Sequence, residues 1–271
     1  MTPALIASAL VALAAAPVAA PPPPPPPPVA EWLAVDPANT LIIETSKGRV
    51  VVEMHHETAP LHVARMKALA RQGKMTNMPF YRVLPGFMAQ GGNMKVASGL
   101  PNLKQEFEFT ATPALYASVG PAPGKEQEGD FGFVRALPIK LDPGGSKGHT
   151  VFCPGVAAFA HELAKPDSAN AQYFFMRGRA SNLDATFSAW GRVILGREVV
   201  AAIQDGSPPP TPDTIKSARV MADIPAAQRP AIEVMDTRGP AFAEVLAKVK
   251  AERREVFSVC DVEVPARTPG A

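Results

Sequence analysis

Apolar and polar residues alternate along residues 40–55, TLIIETSKGRVVVEMH, on both sides of the polar triplet Ser46-Lys47-Gly48. A period of two residues that is interrupted by a short turn with glycine is the pattern of a β-hairpin. The segment therefore predicts two antiparallel strands, each with one apolar face.

Helical spacing replaces this alternation in residues 58–73. Thr58-Ala59-Pro60 offers a cap and a first-turn proline. Because 3.6 residues complete a helical turn, side chains three or four positions apart share one face. The pattern predicts a helix that ends at Gly73, and its apolar face consists of Val63, Met66, Leu69 and Ala70.

Further segments of strand composition follow at 78–92, 151–162, 171–178, 186–195 and 214–224. Helical patterns occupy 196–206 and 240–257. The strands do not alternate regularly with helices, which favours an antiparallel barrel or sandwich over a parallel sheet. The last helix either packs on this barrel or docks a partner.

Residues 97–150 are rich in Gly and Pro, with turn signals at Pro121, Pro123-Gly124 and Pro143-Gly144-Gly145. We interpret them as a long loop or insertion that contains a short strand within 131–141. Long connections in a compact domain are usually functional or insertional.

The N-terminal residues have a separate character. Residues 3–20 are uncharged, rich in Ala and Leu, and end in Val18-Ala19-Ala20, which predicts a secretory signal peptide over 1–20. The segment lacks an N-terminal Lys or Arg, and Pro21 follows the expected cut, so cleavage after Ala16 and an uncleaved anchor stay open. We expect a periplasmic or otherwise exported protein.

A proline-rich linker over 21–38 begins with Pro21–Pro28, which predicts an extended polyproline II spacer. The main domain is expected over 39–224, and a C-terminal helical extension over 225–271. Only two cysteines occur, Cys153 and Cys260. In an oxidising compartment such a pair is a candidate disulfide, which would attach the extension to the main domain.

Composition limits the classes of function. Of the residues, 46% are apolar, which is enough for a sizeable core. The 27 basic and 25 acidic residues are interspersed and leave a net charge of +2, so no feature indicates nucleic acid or an anionic membrane surface as a partner.

Histidines form the most obvious candidate metal cluster, at His55, His56 and His62. Neighbours on a strand point to opposite faces, so His55 and His56 would not share one ion. No cysteine pair or paired carboxylate completes a ligand set, and we expect no metal site. Ser118 and Ser168 belong to no recognisable nucleophile arrangement.

The segment FYRVLPGFMAQGGN, residues 80–93, places one arginine, Arg82, among aromatic and apolar residues. It resembles the signature of the cyclophilin-type peptidyl-prolyl isomerases. Residues 48–69 resemble the first hairpin and helix of that family, and residues 166–200 resemble a later strand, turn and strand. The resemblance implies a mainly β fold: a closed eight-stranded antiparallel barrel capped by two helices, here with an extra C-terminal helix.

The same resemblance implies the roles of individual residues. Arg82 is similar to the catalytic arginine. The residues that would bind substrate are Phe87, Met88, Gln90, Ala160, His161, Gln172, Phe174, Leu183 and Phe187. Three positions depart from the usual pattern: Asn182 replaces an aromatic residue, Phe187 a histidine, and His161 an asparagine that binds the substrate backbone.

Two functions are compatible with these residues. The first is cis–trans isomerisation of X–Pro bonds during folding of exported proteins, without a cofactor. The alternative is a peptide-binding or chaperone module with little turnover. Under both, the partners are proline-containing polypeptides and not nucleic acid. A membrane is involved only if the N-terminal segment is uncleaved, and we expect a monomer.

Overall fold

The computed structural model describes residues 29–93, 99–121 and 129–270. The predicted signal peptide and the Pro21–Pro28 spacer lie outside the described residues. The helices are α1 (Pro60–Arg71), α2 (Arg197–Ala201) and α3 (Pro240–Arg253). In chain order the strands are β1 (Trp32–Ala34), β2 (Thr40–Thr45), β3 (Gly48–Met54), β4 (Phe80–Leu84), β5 (Met88–Gly92), β6 (Glu108–Thr110), β7 (Tyr116–Gly120), β8 (Asp130–Val134), β9 (Leu137–Leu141), β10 (Lys147–Thr150), β11 (Val156–Phe159), β12 (Gln172–Met176), β13 (Ala189–Leu195), β14 (Ile215–Val220), β15 (Glu233–Met235) and β16 (Ala266–Arg267).

The main sheet has eight antiparallel strands in the order β14-β2-β3-β13-β11-β12-β5-β4. The predicted hairpin is confirmed as β2 and β3, with Thr45 opposite Gly48. Alternate residues of the strands enter two different apolar clusters. Ala89 and Phe175 join the cluster that includes α1, whereas Met88 and Phe174 join the other.

The expectation of a closed barrel is wrong, because the curled sheet is open between β4 and β14. Among the described residues, this gap is spanned by the isolated bridges Pro79–Thr214 and Val83–Gly206 and by a hydrogen bond from the Asn77 amide to the Ile215 carbonyl. The chain from Ser207 to Pro212 reads SPPPTP. Proline has no amide hydrogen, so this segment cannot supply the donors that a continuous ladder needs.

Helix α1 begins at Pro60, as predicted, but its cap is not Thr58. The Thr58 hydroxyl donates to the carbonyl of His55, and Ala59 gives no side-chain cap. The carboxylate of Glu106 instead accepts the amides of Leu61 and His62 at 3.0 and 3.1 Å. A residue 45 positions away in the chain therefore satisfies the first turn.

Helix α2 is shorter than predicted and has only five residues. The chain after it turns back so that the backbone groups of Gly206 and Val83 can bond to each other in both directions, at 2.7 and 2.9 Å. Gly206 lies within the predicted helix, but its backbone groups bond to β4 instead.

Residues 97–150 contain far more structure than the predicted short strand. They supply a five-stranded sheet in the order β6-β10-β9-β8-β7. The segment 131–141 lies in the hairpin of β8 and β9, where Arg135 at the turn donates to the buried carboxylate of Glu53 on β3. The insertion is thus a second sheet that is attached to the main one.

The C-terminal extension packs on this inserted sheet. The α3 ring of Phe242 lies 5.6 Å from the ring of Phe133, and Lys250 donates to the Val119 carbonyl at 2.6 Å. Strands β15 and β16 form a small sheet with β1. The sulfur atoms of Cys153 and Cys260 are bonded, with Cα atoms 5.0 Å apart.

Within the described ranges, none of the helices has the length and apolar character needed to cross a lipid bilayer.

Candidate active site

Three adjacent strands place polar and apolar side chains in one row. The register sets Arg82 on β4 opposite Gln90 on β5, and Gln90 opposite Phe174 on β12. Met88 and Gln172 lie two positions from Gln90 and Phe174, so they share the same face of the sheet. The row follows from strand pairing alone.

A cavity of about 430 Å³ lies over this row. All ten residues predicted for the site line it: Arg82, Phe87, Met88, Gln90, Ala160, His161, Gln172, Phe174, Leu183 and Phe187. The loop residues Glu162, Leu163 and Asn182 complete the lining. Segments that are up to about a hundred residues apart in the chain therefore meet around one hollow.

Apolar side chains form the floor of the cavity. Met88 and Phe174 are 3% and 4% exposed, and Leu183 is also buried. The ring of Phe152 lies 6.3 Å from Phe174 and 6.4 Å from Phe187, which supports the floor from below. Sequence reasoning missed Phe152, because it precedes β11 and gives no periodic signal.

The turn between β4 and β5 sets the position of Phe87. Its carbonyl accepts the amides of Arg177 and Gly178 at 2.8 and 3.3 Å. A Cβ atom at Gly178 would collide with the carbonyl of Gly86, so glycine permits this close approach. The turn is held against the end of β12 by backbone contacts.

Asp184 holds the loop that carries Leu183 and Phe187. Its carboxylate accepts the Phe152 amide at 2.8 Å and pairs with both terminal nitrogens of Arg179. Asp184 is not among the predicted site residues. Its acceptor role depends on Phe152, which is 32 positions away in the chain, so the local sequence gives no signal for it.

His161 ties two loops together at the rim. Its Nδ1 and Nε2 atoms each lie 2.9 Å from a carbonyl oxygen, those of Glu162 and Thr186. Its ring centroid is 4.1 Å from that of Phe187. A neutral imidazole has one N–H, so it donates to only one of these carbonyls at a time.

Arg82 is the cation beside the apolar floor. Its Nη1 atom donates to Gln90 Oε1 at 3.2 Å and lies 4.0 Å from the Met88 sulfur. Among the ion pairs of the described residues, none involves Arg82. A fixed guanidinium without a carboxylate partner has donors left for a bound ligand.

The histidines predicted not to share an ion are separated. His55 is fully buried with Nδ1 2.9 Å from Glu57, and His56 is exposed. His62 bonds to Glu106 at 2.7 Å. In the part of the chain that the structure describes, no group of three or more His, Cys, Asp or Glu side chains is placed to hold a metal ion.

Comparison with known proteins shows which family the chain belongs to. The model of the family described as "Cyclophilin type peptidyl-prolyl cis-trans isomerase/CLD" matches residues 40–220, which is more than half of the chain. The chain belongs to the cyclophilin family. Its enzyme class is therefore that of the cyclophilin-type peptidyl-prolyl cis-trans isomerases.

This cyclophilin is similar to curated bacterial relatives. A "Probable peptidyl-prolyl cis-trans isomerase" of Brucella suis is 31% identical over 195 residues, which cover 70% of this chain and 86% of the relative. A "Peptidyl-prolyl cis-trans isomerase" of Acinetobacter baylyi is 26% identical over 172 residues, which cover 61% and 72%.

Among solved structures, the cyclophilin AquaCyp293 from Hirschia baltica matches with a TM-score of 0.78 and 30% identity. The match covers 87% of this chain and 92% of that one. The structural similarity thus extends beyond the residues that the family model covers.

Proposed function

We propose that this cyclophilin accelerates cis–trans isomerisation of X–Pro bonds in polypeptides, and that Arg82 is its catalytic residue. The observation that carries the proposal is a guanidinium that has no carboxylate partner among the described residues and lies beside a cavity of about 430 Å³ with an apolar floor. The apolar side chains of Phe87, Met88 and Phe174 suit a proline ring.

The chemistry explains why a cation is useful there. Rotation about a peptide C–N bond is opposed by ~18–20 kcal/mol, because the nitrogen lone pair is delocalised into the carbonyl. In the twisted state the nitrogen becomes pyramidal and can accept a hydrogen bond. A donor that is always charged and aimed at that nitrogen favours the twisted state without proton transfer.

The magnitudes require more than Arg82. An acceleration of about 10⁴ to 10⁵-fold corresponds to roughly 5.5 to 7 kcal/mol. A charged hydrogen bond contributes about 1.5–3 kcal/mol net. The rest is assigned to the cavity, which holds the ring while the carbonyl side turns and which excludes water from the more dipolar planar amide.

Arg82→Ala is the direct test. We expect kcat/KM on an X–Pro peptide in a protease-coupled assay to fall by about ten- to a thousandfold, because the donor to the twisted nitrogen is lost. Arg219→Ala is the matched control, since Arg219 is an exposed arginine on the other edge strand of the sheet, β14, and does not line the cavity. Equal activity of the wild type and Arg82→Ala would contradict the proposal.

A peptide-binding module with little turnover is the second candidate. The observation that favours it is His161, whose ring nitrogens face carbonyls of the protein itself and are not offered to a substrate backbone. The same assay separates the two functions. A binding module would retain peptide affinity in calorimetry while neither the wild type nor Arg82→Ala accelerates isomerisation.

The substrates we propose are exported, proline-containing polypeptides. Two features support export: the signal-like pattern of residues 3–20 and the Cys153–Cys260 bond, since stable disulfides are typical of oxidising compartments. A fusion of residues 1–38 to alkaline phosphatase should be active in cells and inactive once 3–20 are deleted. Activity that does not depend on 3–20 would overturn this assignment.

A further inference from the structure

Tyr81 occupies an irregular position in β4. Phe80 lies opposite Gly91, yet Arg82 lies opposite Gln90, so the register shifts between them and Tyr81 is the extra residue of a β-bulge. In a regular strand, Tyr81 and Arg82 would point to opposite faces. The bulge lets both side chains reach Gln90 on the neighbouring strand.

Both ends of the Gln90 amide are engaged as a result. Its Nε2 donates to the Tyr81 hydroxyl, and its Oε1 accepts from Arg82 Nη1 at 3.2 Å. Gln90 is only 9% exposed, so water has little access to replace either bond. Burial raises the pKa of Tyr81 above its ordinary value, against smaller lowering effects of the Gln90 hydrogen bond and the Arg82 charge, so the hydroxyl is neutral near pH 7.

The orientation of the amide matters to Arg82. A guanidinium has donors and no acceptor, so it is held by Oε1 and repelled by the NH₂ end. If Nε2 loses its partner, the amide can rotate about its last torsion, which is soft, and Oε1 leaves the guanidinium. Tyr81 thus acts on the cation through one intervening side chain.

We propose that Tyr81 is a positioning residue for the isomerisation: its hydroxyl fixes the Gln90 amide and thereby the direction of the Arg82 donors. The inference rests on the proposed function and deepens it. Tyr81 does not line the cavity. Its loss should therefore weaken the transition state more than the binding of the planar substrate.

Tyr81→Phe removes only the hydroxyl. We expect kcat to fall about three- to tenfold and KM to stay within twofold of the wild type. Tyr173→Phe is the matched control, because Tyr173 is a buried tyrosine of the same sheet whose hydroxyl has no hydrogen-bond partner among the described residues. Its kcat and KM should be unchanged.

A double-mutant cycle tests the route through Gln90. In a Gln90→Ala background, Tyr81→Phe should have no further effect on kcat, since the residue that links it to Arg82 is gone. The side-chain amide signals of Gln90 in a ¹⁵N spectrum should shift in Tyr81→Phe and not in Tyr173→Phe. A loss of kcat that persists in the Gln90→Ala background would overturn the inference.

The experiments on Tyr81 and Arg82 distinguish a failure of the positioning role from a failure of the proposed function. If Arg82→Ala loses activity while Tyr81→Phe keeps full kcat, the positioning role is wrong and the catalytic arginine stands. If Arg82→Ala keeps full activity, both are wrong.

Discussion

At the scale of single residues, the polar side chains of the site differ from a second polar cluster that lies outside it. Arg82 is held by a neutral amide, whereas a second polar cluster lies under the surface at the end of β3. There the buried imidazole of His55 lies 3.6 Å from Glu53 and 2.9 Å from Glu57. The cluster faces the insertion, because Arg135 also bonds to Glu53. Such a cluster makes stability depend on pH.

We expect Glu57 to make the main contribution of this cluster to the loss of stability at acid pH. Burial alone would raise the pKa of Glu57, but the charge and hydrogen bond of His55, with smaller contributions from the Glu57 backbone and His56, lower it from 4.5 to about 2. The folded state thus binds this proton more weakly than the unfolded state. The stabilisation, at most about 3 kcal/mol, is present above pH 4.5 and lost as pH falls toward 2.

Urea unfolding between pH 2.5 and 7 measures this effect. The free energy of unfolding of Glu57→Gln should fall less steeply below pH 4.5 than that of the wild type. Glu252→Gln, an exposed glutamate on α3, is the control and should follow the wild type. Parallel curves for Glu57→Gln and the wild type would refute the assignment.

At the scale of elements, a helix that the local sequence predicts is capped by a residue from a distant part of the chain. The first turn of α1 takes its cap from Glu106, in the segment that leads into β6. Burial would raise the pKa of Glu106, but the hydrogen bonds from His62 and from the two amides lower it, so the carboxylate is charged. A negative charge at a helix N-terminus is favourable because of the helix dipole.

Glu106→Ala should therefore destabilise the protein by about 1–2 kcal/mol, since two amides and His62 lose their acceptor. Chemical denaturation at pH 7 provides the measurement. Glu108→Ala changes an exposed glutamate two residues away, on β6, and should have little effect. If both variants lose the same stability, the cap is not the cause.

At the scale of the whole molecule, the extension and the insertion are built around the main sheet. Helix α3 covers the inserted sheet, and the bond between Cys153 and Cys260 joins the extension to the residue next to Phe152 under the cavity. The cross-link joins two residues that are 107 positions apart in the chain. Cross-links that close long loops restrict the unfolded chain most.

Replacing both cysteines with alanine should lower the free energy of unfolding by about 3–5 kcal/mol. Denaturation of both proteins, with and without dithiothreitol, checks this. The reductant should destabilise the wild type and leave the double variant unchanged. If the free energy of unfolding of the wild type is the same with and without dithiothreitol, the prediction is wrong.

Local pattern was sufficient for several features of this cyclophilin. The hairpin of β2 and β3, helix α1 and helix α3 all follow from side-chain periodicity, because a two- or 3.6-residue repeat states which side chains face the core. The motif around Arg82 was specific enough to indicate the family. Alternation along β5 and β12 also places Gln90 and Phe174 on one face.

Pairing between distant segments was decided only by tertiary structure. Strands β6 and β10 have only three and four residues, which is too short for an alternation of apolar and polar residues to predict a strand. They pair although about forty positions separate them in the chain. The Glu106 cap, the loop-fixing Asp184, the bulge at Tyr81 and the open edge depend likewise on which backbone groups meet. Periodicity in the sequence indicates which face of a strand or helix each residue occupies. Which segments pair is decided only when the chain folds, because buried backbone N–H and C=O groups must then find partners.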